Sequence, residues 1–128
     1  MQYIGKIDKN LYSVVTDDIA TDEVVITDER IAHMRERHSQ DYERFSKYIP
    51  QILSEPDYIL EANKPKTALI LKEIVENNKN FQLIVRLKTS GDPDEYKNSV
   101  ITFLKIENKK WNKYLRNKKI LYAVDKKE

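Results

Sequence analysis

The sequence of 128 residues contains no cysteine, only two glycines and only four prolines. Without cysteine the chain can form neither a disulfide framework nor a thiolate metal site. Two glycines argue against a glycine-rich nucleotide loop, and neither a P-loop nor a dinucleotide-binding fingerprint is present. No apolar run approaches the length needed to span a membrane. The first residues lack the basic start and apolar core of a signal peptide, so the expected location is the cytoplasm.

Charge is unevenly distributed along a chain whose net charge is only +2. From Lys105 to the end there are nine cations and three anions, which leaves −4 for residues 1–104. A basic stripe of this kind indicates a polyanion partner, although a solvated lysine-rich helix face would give the same pattern. Aromatic rings alternate with these cations, which suits single-stranded RNA. The candidate nucleic-acid-binding residues are five from this stripe and Lys88 from an earlier predicted strand. Those in the stripe are Lys110, Trp111, Lys113, Tyr114 and Arg116.

Hydrophobic periodicity predicts helices first and then an antiparallel meander, which is an α+β arrangement. Thr27 is the expected N-cap of a helix that runs to about His38, and a second helical stretch covers about 41–54. Strands are predicted at 24–26, 58–61, 67–75, 81–89, 99–106 and 120–124, with a basic helix at 108–117. We expect one domain, residues 1–128, with an N-terminal arm at 1–22, a core at 23–124 and a charged tail at 125–128. Its N-terminal helices should pack on a four- to five-stranded antiparallel sheet.

The predicted strand at 81–89 carries two cations on one face. Because strand side chains alternate, Arg86 and Lys88 lie on the same side. A solvated face with long cations reaching water would explain this arrangement, and so would a cationic surface that holds phosphate.

Both histidines fall in the first predicted helix. His38 shares a face with Ile31 and Met34, which are expected to pack on the sheet, so it lies at the helix end beyond a buried seam. His33 lies on another side, near Arg30. Histidine is the commonest acid or base near neutral pH, and His38 is the preferred candidate with His33 second. A stabilising contact with the helix dipole would also explain His38. Two histidines without cysteine do not support a zinc site.

Six short segments form a specific combination along the chain. They are Thr27-x-x-Arg30-Ile31-x-His33-Met34-x-x-Arg37-His38, Pro56-Asp57-Tyr58-Ile59-Leu60, Leu71-Lys72-Glu73, Val85-Arg86-Leu87-Lys88-Thr89, Lys97-Asn98-Ser99-Val100-Ile101-Thr102-Phe103 and Trp111-x-x-Tyr114-Leu115-Arg116-Asn117. This combination, which covers about residues 24–122, resembles the phage-associated branch of the barnase–EndoU–colicin E5/D–RelE-like nuclease superfamily. The resemblance implies a metal-independent RNase fold with N-terminal helices against a four-stranded antiparallel sheet. Members occur in prophages, often appended to head-morphogenesis proteins, and in polymorphic toxins.

Metal-independent RNA cleavage uses the 2′-hydroxyl as nucleophile and needs a base, an acid and cations for the phosphorane. Arg86 is expected to grip the phosphate, and Lys72 on the neighbouring strand to meet Arg86 or Lys88 across the antiparallel pair. Ser99 and Thr102 have opposite strand parity, so at most one of them should share that face. The candidate catalytic residues are His38, Arg86, Lys72, Thr102, Ser99 and His33.

The sequence therefore predicts a metal-independent endoribonuclease of a prophage-borne or toxin type. RNA is the expected substrate, with tRNA as one candidate, and an immunity or antitoxin protein is a candidate partner. No cofactor, metal or membrane partner is expected. Delivery with a phage particle or as a toxin is an alternative to the cytoplasmic location. Two other functions stay open, namely an RNA-binding module without catalysis and a structural phage protein that keeps the nuclease fold.

Overall fold

Helices and strands alternate along the first half of the chain, and strands dominate the second half. The computed structural model describes residues 1–125, apart from the side chains of residues 38 and 39. Within this part the strands are β1 (Gln2–Lys6), β2 (Glu23–Ile26), β3 (Tyr58–Glu61), β4 (Thr67–Ile74), β5 (Lys79–Arg86), β6 (Asn98–Ile106) and β7 (Ile120–Ala123). The α-helices are α1 (Lys9–Tyr12), α2 (Asp28–Phe45), α3 (Ile49–Ser54) and α4 (Asn108–Asn117), and 3-10 turns cover Ser46–Tyr48 and Val75–Asn77.

The seven strands of the described region form one mixed sheet in the order β1-β2-β6-β5-β4-β3-β7. The central strands β4, β5 and β6 are antiparallel as predicted, and the α+β class is confirmed. The expected size and uniform direction of the sheet are wrong, because β2 pairs with β6 in parallel and the short strands β1 and β7 extend the two edges. Strands of four or five residues carry too few alternations to reveal their partners in the sequence.

The first 22 residues, which the sequence predicts as an N-terminal arm, pack against the rest of the domain. β1 pairs with β2, and Ile7 is 5% exposed. Tyr12 is fully buried, and its hydroxyl donates a 2.7 Å hydrogen bond to the carbonyl of Leu53. Of the expected tail at residues 125–128, only Asp125 lies within the described residues.

The first long helix, α2, extends seven residues beyond the expected end at His38. Thr27 caps it as predicted, because its Oγ1 accepts the backbone N–H of Arg30 at 3.2 Å. No glycine or proline interrupts α2, which therefore continues to Phe45; the 3-10 turn Ser46–Tyr48 then leads into α3, which has Pro50 in its first turn. Ile31 and Met34 pack into the main core as expected.

The two faces of the sheet bury separate clusters. The main cluster contains the apolar residues of α1, α2 and α3 and the alternate residues of β4 and β5 that point towards them, such as Ile70 and Leu83. A second, smaller cluster lies on the opposite face, where Leu69, Leu71 and Ile84 pack beneath α4. None of the helices in the described part of the chain combines the length and the apolar character that a membrane span requires.

Candidate functional site

Arg86 lies at the end of the central strand β5 and is paired on both sides. It stands opposite Thr67 of β4 and Ser99 of β6. Strand alternation places Val85 in the main cluster and turns Ile84 and Arg86 to the opposite face. The Arg86 side chain is 36% exposed, so it is reachable from solvent while its backbone is fixed by two neighbouring strands.

The guanidinium of Arg86 is held in one orientation. Its Nη1 and Nη2 atoms donate to the two carboxylate oxygens of Asp92 at 3.3 and 3.2 Å, and Nη1 also donates to the carbonyl of Leu87. Thr89 fixes the same carboxylate through its backbone N–H at 2.8 Å and its hydroxyl at 3.2 Å. The Thr89 N–H, together with the Arg86 guanidinium, holds the pKa of Asp92 below its ordinary value, although burial acts in the opposite direction.

These contacts leave one edge of the guanidinium open. A guanidinium has five N–H groups, and Asp92 and Leu87 take three of those on Arg86. Among the described residues, the Nε–H and the second Nη2–H have no partner. These two groups lie side by side and form a fork that matches two oxygens of a phosphate. Asp92 therefore orients Arg86 without occupying the edge that could bind an anion.

Two further cations join Arg86 around a cavity of about 400 Å³, which we call the cation pocket. Arg30 comes from the first turn of α2, and Lys64 comes from the loop between β3 and β4. Ile84 and Thr67 supply part of the floor. No carboxylate is among the described residues that line this pocket. Three cations from three separate elements therefore converge on a space where anion binding is electrostatically favoured.

The loop that carries Lys64 is tied to the end of β5. Lys66 adopts the left-handed backbone conformation with φ of 59°, which is uncommon for a residue other than glycine. Its carbonyl accepts the backbone N–H of Leu87 at 2.8 Å, and the hydroxyl of Thr67 donates to the carbonyl of Pro65 at 2.9 Å. These bonds hold the Lys64 backbone next to the Arg86 strand end.

Ser99 and Thr102 lie on the same face as Arg86. The pairing register of β5 and β6 shifts between Val100 and Thr102, which is the signature of a β-bulge. Thr102 stands opposite Ile84 and Ser99 stands opposite Arg86, and directly opposed residues share a face. The prediction that at most one of the two hydroxyls could be on this face is therefore wrong, because strand parity does not survive the extra residue at the bulge.

Lys72 does not approach Arg86, and this part of the predicted site is wrong. Lys72 pairs with Phe81, about 17 Å along β4 from the residue opposite Arg86, and lies on the main-core face. Its Nζ is 3.3 Å from the carboxylate of Asp57, whose other oxygen accepts the backbone N–H of Glu73 at 2.8 Å. Both side chains are largely buried, at 15% and 9% exposure. Lys72 therefore joins the start of β3 to β4 rather than binding phosphate.

The two histidines lie at different distances from the cation pocket along α2. His33 is exposed and follows Arg30 by three residues, about 4.5 Å along the helix axis, so the two positions are neighbours on the helix surface. His38 lies eight residues from Arg30, about 12 Å along the axis, and its side chain is outside the described residues. Of the two candidate histidines, His33 is closer along α2 to Arg30, although His33 is not itself among the residues that line the pocket.

A second cavity, of about 540 Å³, adjoins the cation pocket and shares Arg86 and Ile101 with it. We call it the Tyr96 cavity, after the exposed ring on its rim. Lys88 lines it as well, and its Nζ is 3.4 Å from the carbonyl of Asp94. Arg86 and Lys88 therefore line the same cavity, although β5 ends at Arg86 and Lys88 lies beyond the strand.

The predicted basic stripe forms a groove of about 720 Å³ between α4 and the end of β6. We call it the lysine groove; one carboxylate, that of Glu107, and five lysines line it, namely Lys105, Lys109, Lys110, Lys113 and Lys118. The ammonium of Lys118 donates to the side chain of Asn63, which itself lines the cation pocket. Arg116 is exposed on the same helix. The groove and the pocket are therefore linked by a direct contact.

The aromatic residues of α4 pack inward. Trp111 meets Tyr58 edge-on, with ring centroids 6.0 Å apart, and belongs to the second cluster. The hydroxyl of Tyr114 donates a 2.7 Å hydrogen bond to the buried Gln82, and Lys110 lies over its ring. Both rings are partly buried by the sheet, so the structure gives them a packing role. Their predicted role in base stacking stays a prediction.

Sequence reasoning missed four residues around Arg86: Arg30 and Lys64, which complete the cation pocket, Asp92, which orients Arg86, and Tyr96, on the rim of the adjoining cavity. Arg30 was present in the quoted motif as a neighbour of His33. A turn-forming Gly91-Asp92-Pro93 sequence was the only signal near Asp92. Nothing in the local pattern around Lys64 or Tyr96 distinguishes them from ordinary loop residues.

Comparison with protein families identifies one family model, phage-Barnase-EndoU-ColicinE5/D-RelE like nuclease2, which matches residues 1–123. The match includes the segments that hold Arg30, Lys64 and Arg86. Comparisons with curated proteins and with solved structures give no match. In the described part of the chain, no group of three or more histidine, cysteine, aspartate or glutamate residues is placed to hold a metal ion.

Proposed function

The chain belongs to the phage-Barnase-EndoU-ColicinE5/D-RelE-like nuclease 2 family, and we propose that it is an endoribonuclease that cleaves RNA without a divalent metal. The observation that carries the proposal is the cation pocket. Arg30, Lys64 and Arg86 converge there without an opposing carboxylate in the lining, and Arg86 presents an open fork of two N–H groups. Cations gathered around one space supply the charge that phosphoryl chemistry requires.

The proposed reaction is an internal transesterification. The 2′-oxygen attacks the adjacent phosphorus and loses its proton to a base, and the bond from phosphorus to the 5′-oxygen breaks as that oxygen receives a proton from an acid. The products are a 2′,3′-cyclic phosphate and a 5′-hydroxyl. Negative charge builds on the non-bridging oxygens, where the fork of Arg86 and the charges of Arg30 and Lys64 stabilise it most.

The proton-transfer roles fall to the helix beside the pocket. His33 is the first candidate, because its position adjoins Arg30 on α2. His38, the preferred candidate from the sequence, becomes the second candidate. Ser99 and Thr102 offer hydroxyl groups on the face of Arg86, where they can orient the phosphate or the 2′-hydroxyl.

The lysine groove supports an RNA substrate longer than a dinucleotide. Its five lysines can follow successive backbone phosphates, and the contact between Lys118 and Asn63 leads from the groove to the cation pocket. The exposed cations Lys110, Lys113 and Arg116 would then act on affinity rather than on turnover.

A toxin role and an immunity or antitoxin partner follow as part of the same proposal. If the protein cleaves cellular RNA, expression of the wild type should arrest growth, and expression of Arg86→Ala should not.

The test of the proposal is incubation of the purified protein with tRNA and with mRNA in EDTA. Cleavage that persists in EDTA, with Arg86→Ala inactive in the same preparation, supports it. Cleavage that requires added magnesium contradicts it, and so does RNA binding without any cleavage.

A further inference from the structure

The loop between β5 and β6 presents an exposed aromatic ring beside Arg86. Tyr96 is 56% exposed, and it lines the Tyr96 cavity together with Arg86 and Ser99. We propose that this cavity is a nucleobase subsite in which Tyr96 stacks on the base of a nucleotide next to the phosphate held by Arg86. This inference rests on the proposed function, since it supplies a base-binding site for the same RNA substrate.

The position of the cavity fits this role. It shares Arg86 and Ile101 with the cation pocket, so a phosphate bound at the open fork of Arg86 has this cavity next to it. A volume of about 540 Å³ lies in the range of small-molecule sites. Apolar Val25 and Ile101 contribute to the lining. Ser99, Lys97 and the carboxylates of Asp92 and Glu95 add donors and acceptors that can meet the polar edge of a flat heteroaromatic ring.

The loop that carries Tyr96 is anchored at several points. Asn98 is fully buried, accepts the backbone N–H of Lys88 at 2.7 Å and donates to the carbonyl of Thr21 at 2.8 Å. The hydroxyl of Ser90 donates to Asp18 at 2.7 Å, and the backbone N–H of Tyr96 donates to the carbonyl of Pro93 at 3.0 Å. The loop therefore needs little ordering when a ligand binds, which favours affinity.

A stacked tyrosine contributes through its ring and not through its hydroxyl. Base stacking on an aromatic ring is lost with alanine and kept with phenylalanine, and the loss corresponds to a roughly 5- to 100-fold weaker affinity. A ring that stacks equally in the ground state and the transition state changes KM and leaves kcat unaltered. Loss of the Tyr96 ring should therefore raise KM alone, whereas loss of a cation of the cation pocket should lower kcat.

The test is calorimetric titration of adenosine 3′-monophosphate and, separately, of inorganic phosphate into four proteins. They are the wild type, Tyr96→Ala, Tyr96→Phe and a matched control, Tyr3→Ala, which removes a ring of similar exposure (52%) from strand β1. We expect Tyr96→Ala to bind the nucleotide roughly 5- to 100-fold more weakly, while Tyr96→Phe and Tyr3→Ala bind it like the wild type and all four bind phosphate equally.

If Tyr96→Ala and the wild type bind the nucleotide with equal affinity, the inference is wrong. That result is expected if Tyr96 only docks a protein partner. Absence of nucleotide binding by the wild type would overturn it too. The two proposals fail separately. If RNA is cleaved and Tyr96→Ala keeps the wild-type KM, the subsite is wrong and the nuclease proposal stands. If the nucleotide binds through Tyr96 and no RNA is cleaved, the subsite stands and the nuclease proposal is wrong.

Discussion

Replacing Arg86 should separate catalysis from folding. The side chain lines the cation pocket and keeps an oriented pair of N–H groups without a partner among the described residues, and it belongs to neither hydrophobic cluster. Removing one preorganised donor to a developing oxyanion typically lowers kcat by about 10²- to 10³-fold, which corresponds to about 2.7–4 kcal/mol on the barrier. We therefore expect Arg86→Ala to lose about 10²- to 10³-fold in kcat while it stays folded, with a modest loss of stability because Asp92 loses its charged partner. Arg86→Lys should recover substrate affinity but not kcat, because an ammonium cannot form the two-pronged contact.

The matched control is Lys72→Met, which removes a cation from the neighbouring strand on the opposite face. It leaves the buried Asp57 carboxylate without its charged partner, so stability should fall by about 1–3 kcal/mol. Its kcat, measured where the variant is folded, should stay within about threefold of the wild type because Lys72 does not face the pocket. The assay is single-turnover cleavage of a fluorescent RNA, with a urea melt of each variant. A folded Arg86→Ala that keeps more than a tenth of the wild-type kcat refutes the reasoning, and so does a Lys72→Met that loses as much kcat as Arg86→Ala.

Three further predictions concern the histidines of α2, the carboxylate of Asp92 and the lysine groove. His33→Ala should lower kcat by about 10²-fold or more, and a larger loss in a parallel His38→Ala would assign the proton transfer to His38. Asp92→Asn should be less stable than the wild type at neutral pH. Because the folded pKa of Asp92 is lowered, this difference should shrink as the pH falls below its ordinary value of 3.8, and a gap in urea melts that is independent of pH would contradict it. Changing both Lys110 and Lys113 to alanine should flatten the salt dependence of RNA affinity by about 1.4 in log–log slope without changing kcat, whereas the exposed pair Lys6 and Lys9 should leave the slope unaltered.

Regular alternation made the central strands predictable. β4 and β5 are each eight residues long, and their faces follow strand parity throughout, so Arg86 was correctly separated from the main core. The prediction that Lys72 meets Arg86 is wrong because the pairing register of β4 and β5 differs from the one assumed. Asn78 adopts the left-handed conformation with φ of 51°, and the turn it closes pairs Ile74 with Lys79. That pairing places Lys72 far along the strand from Arg86. The position of the turn alone determines this register.

The remaining differences arise from contacts that are distant in the sequence. The bulge in β6 carries no glycine or other local marker, so the shared face of Ser99 and Thr102 could not be read from the chain. Parallel pairing of β2 with β6 depends on residues from opposite ends of the domain. The cation pocket needs α2, the β3–β4 loop and β5 together, which explains why Arg86 was predicted and Lys64 was not.

The central claim is that the RNA's own 2′-hydroxyl is the nucleophile and that fixed cations replace a metal. The most direct measurement compares two oligoribonucleotides in EDTA after the cleavage position has been mapped, one unmodified and one with a single 2′-deoxy residue on the 5′ side of that position. We predict that the unmodified strand is cut to a 2′,3′-cyclic phosphate and that the modified strand is not cut at that position. Cleavage of both strands at the same rate, or cleavage of either strand only when magnesium is restored, would contradict the account.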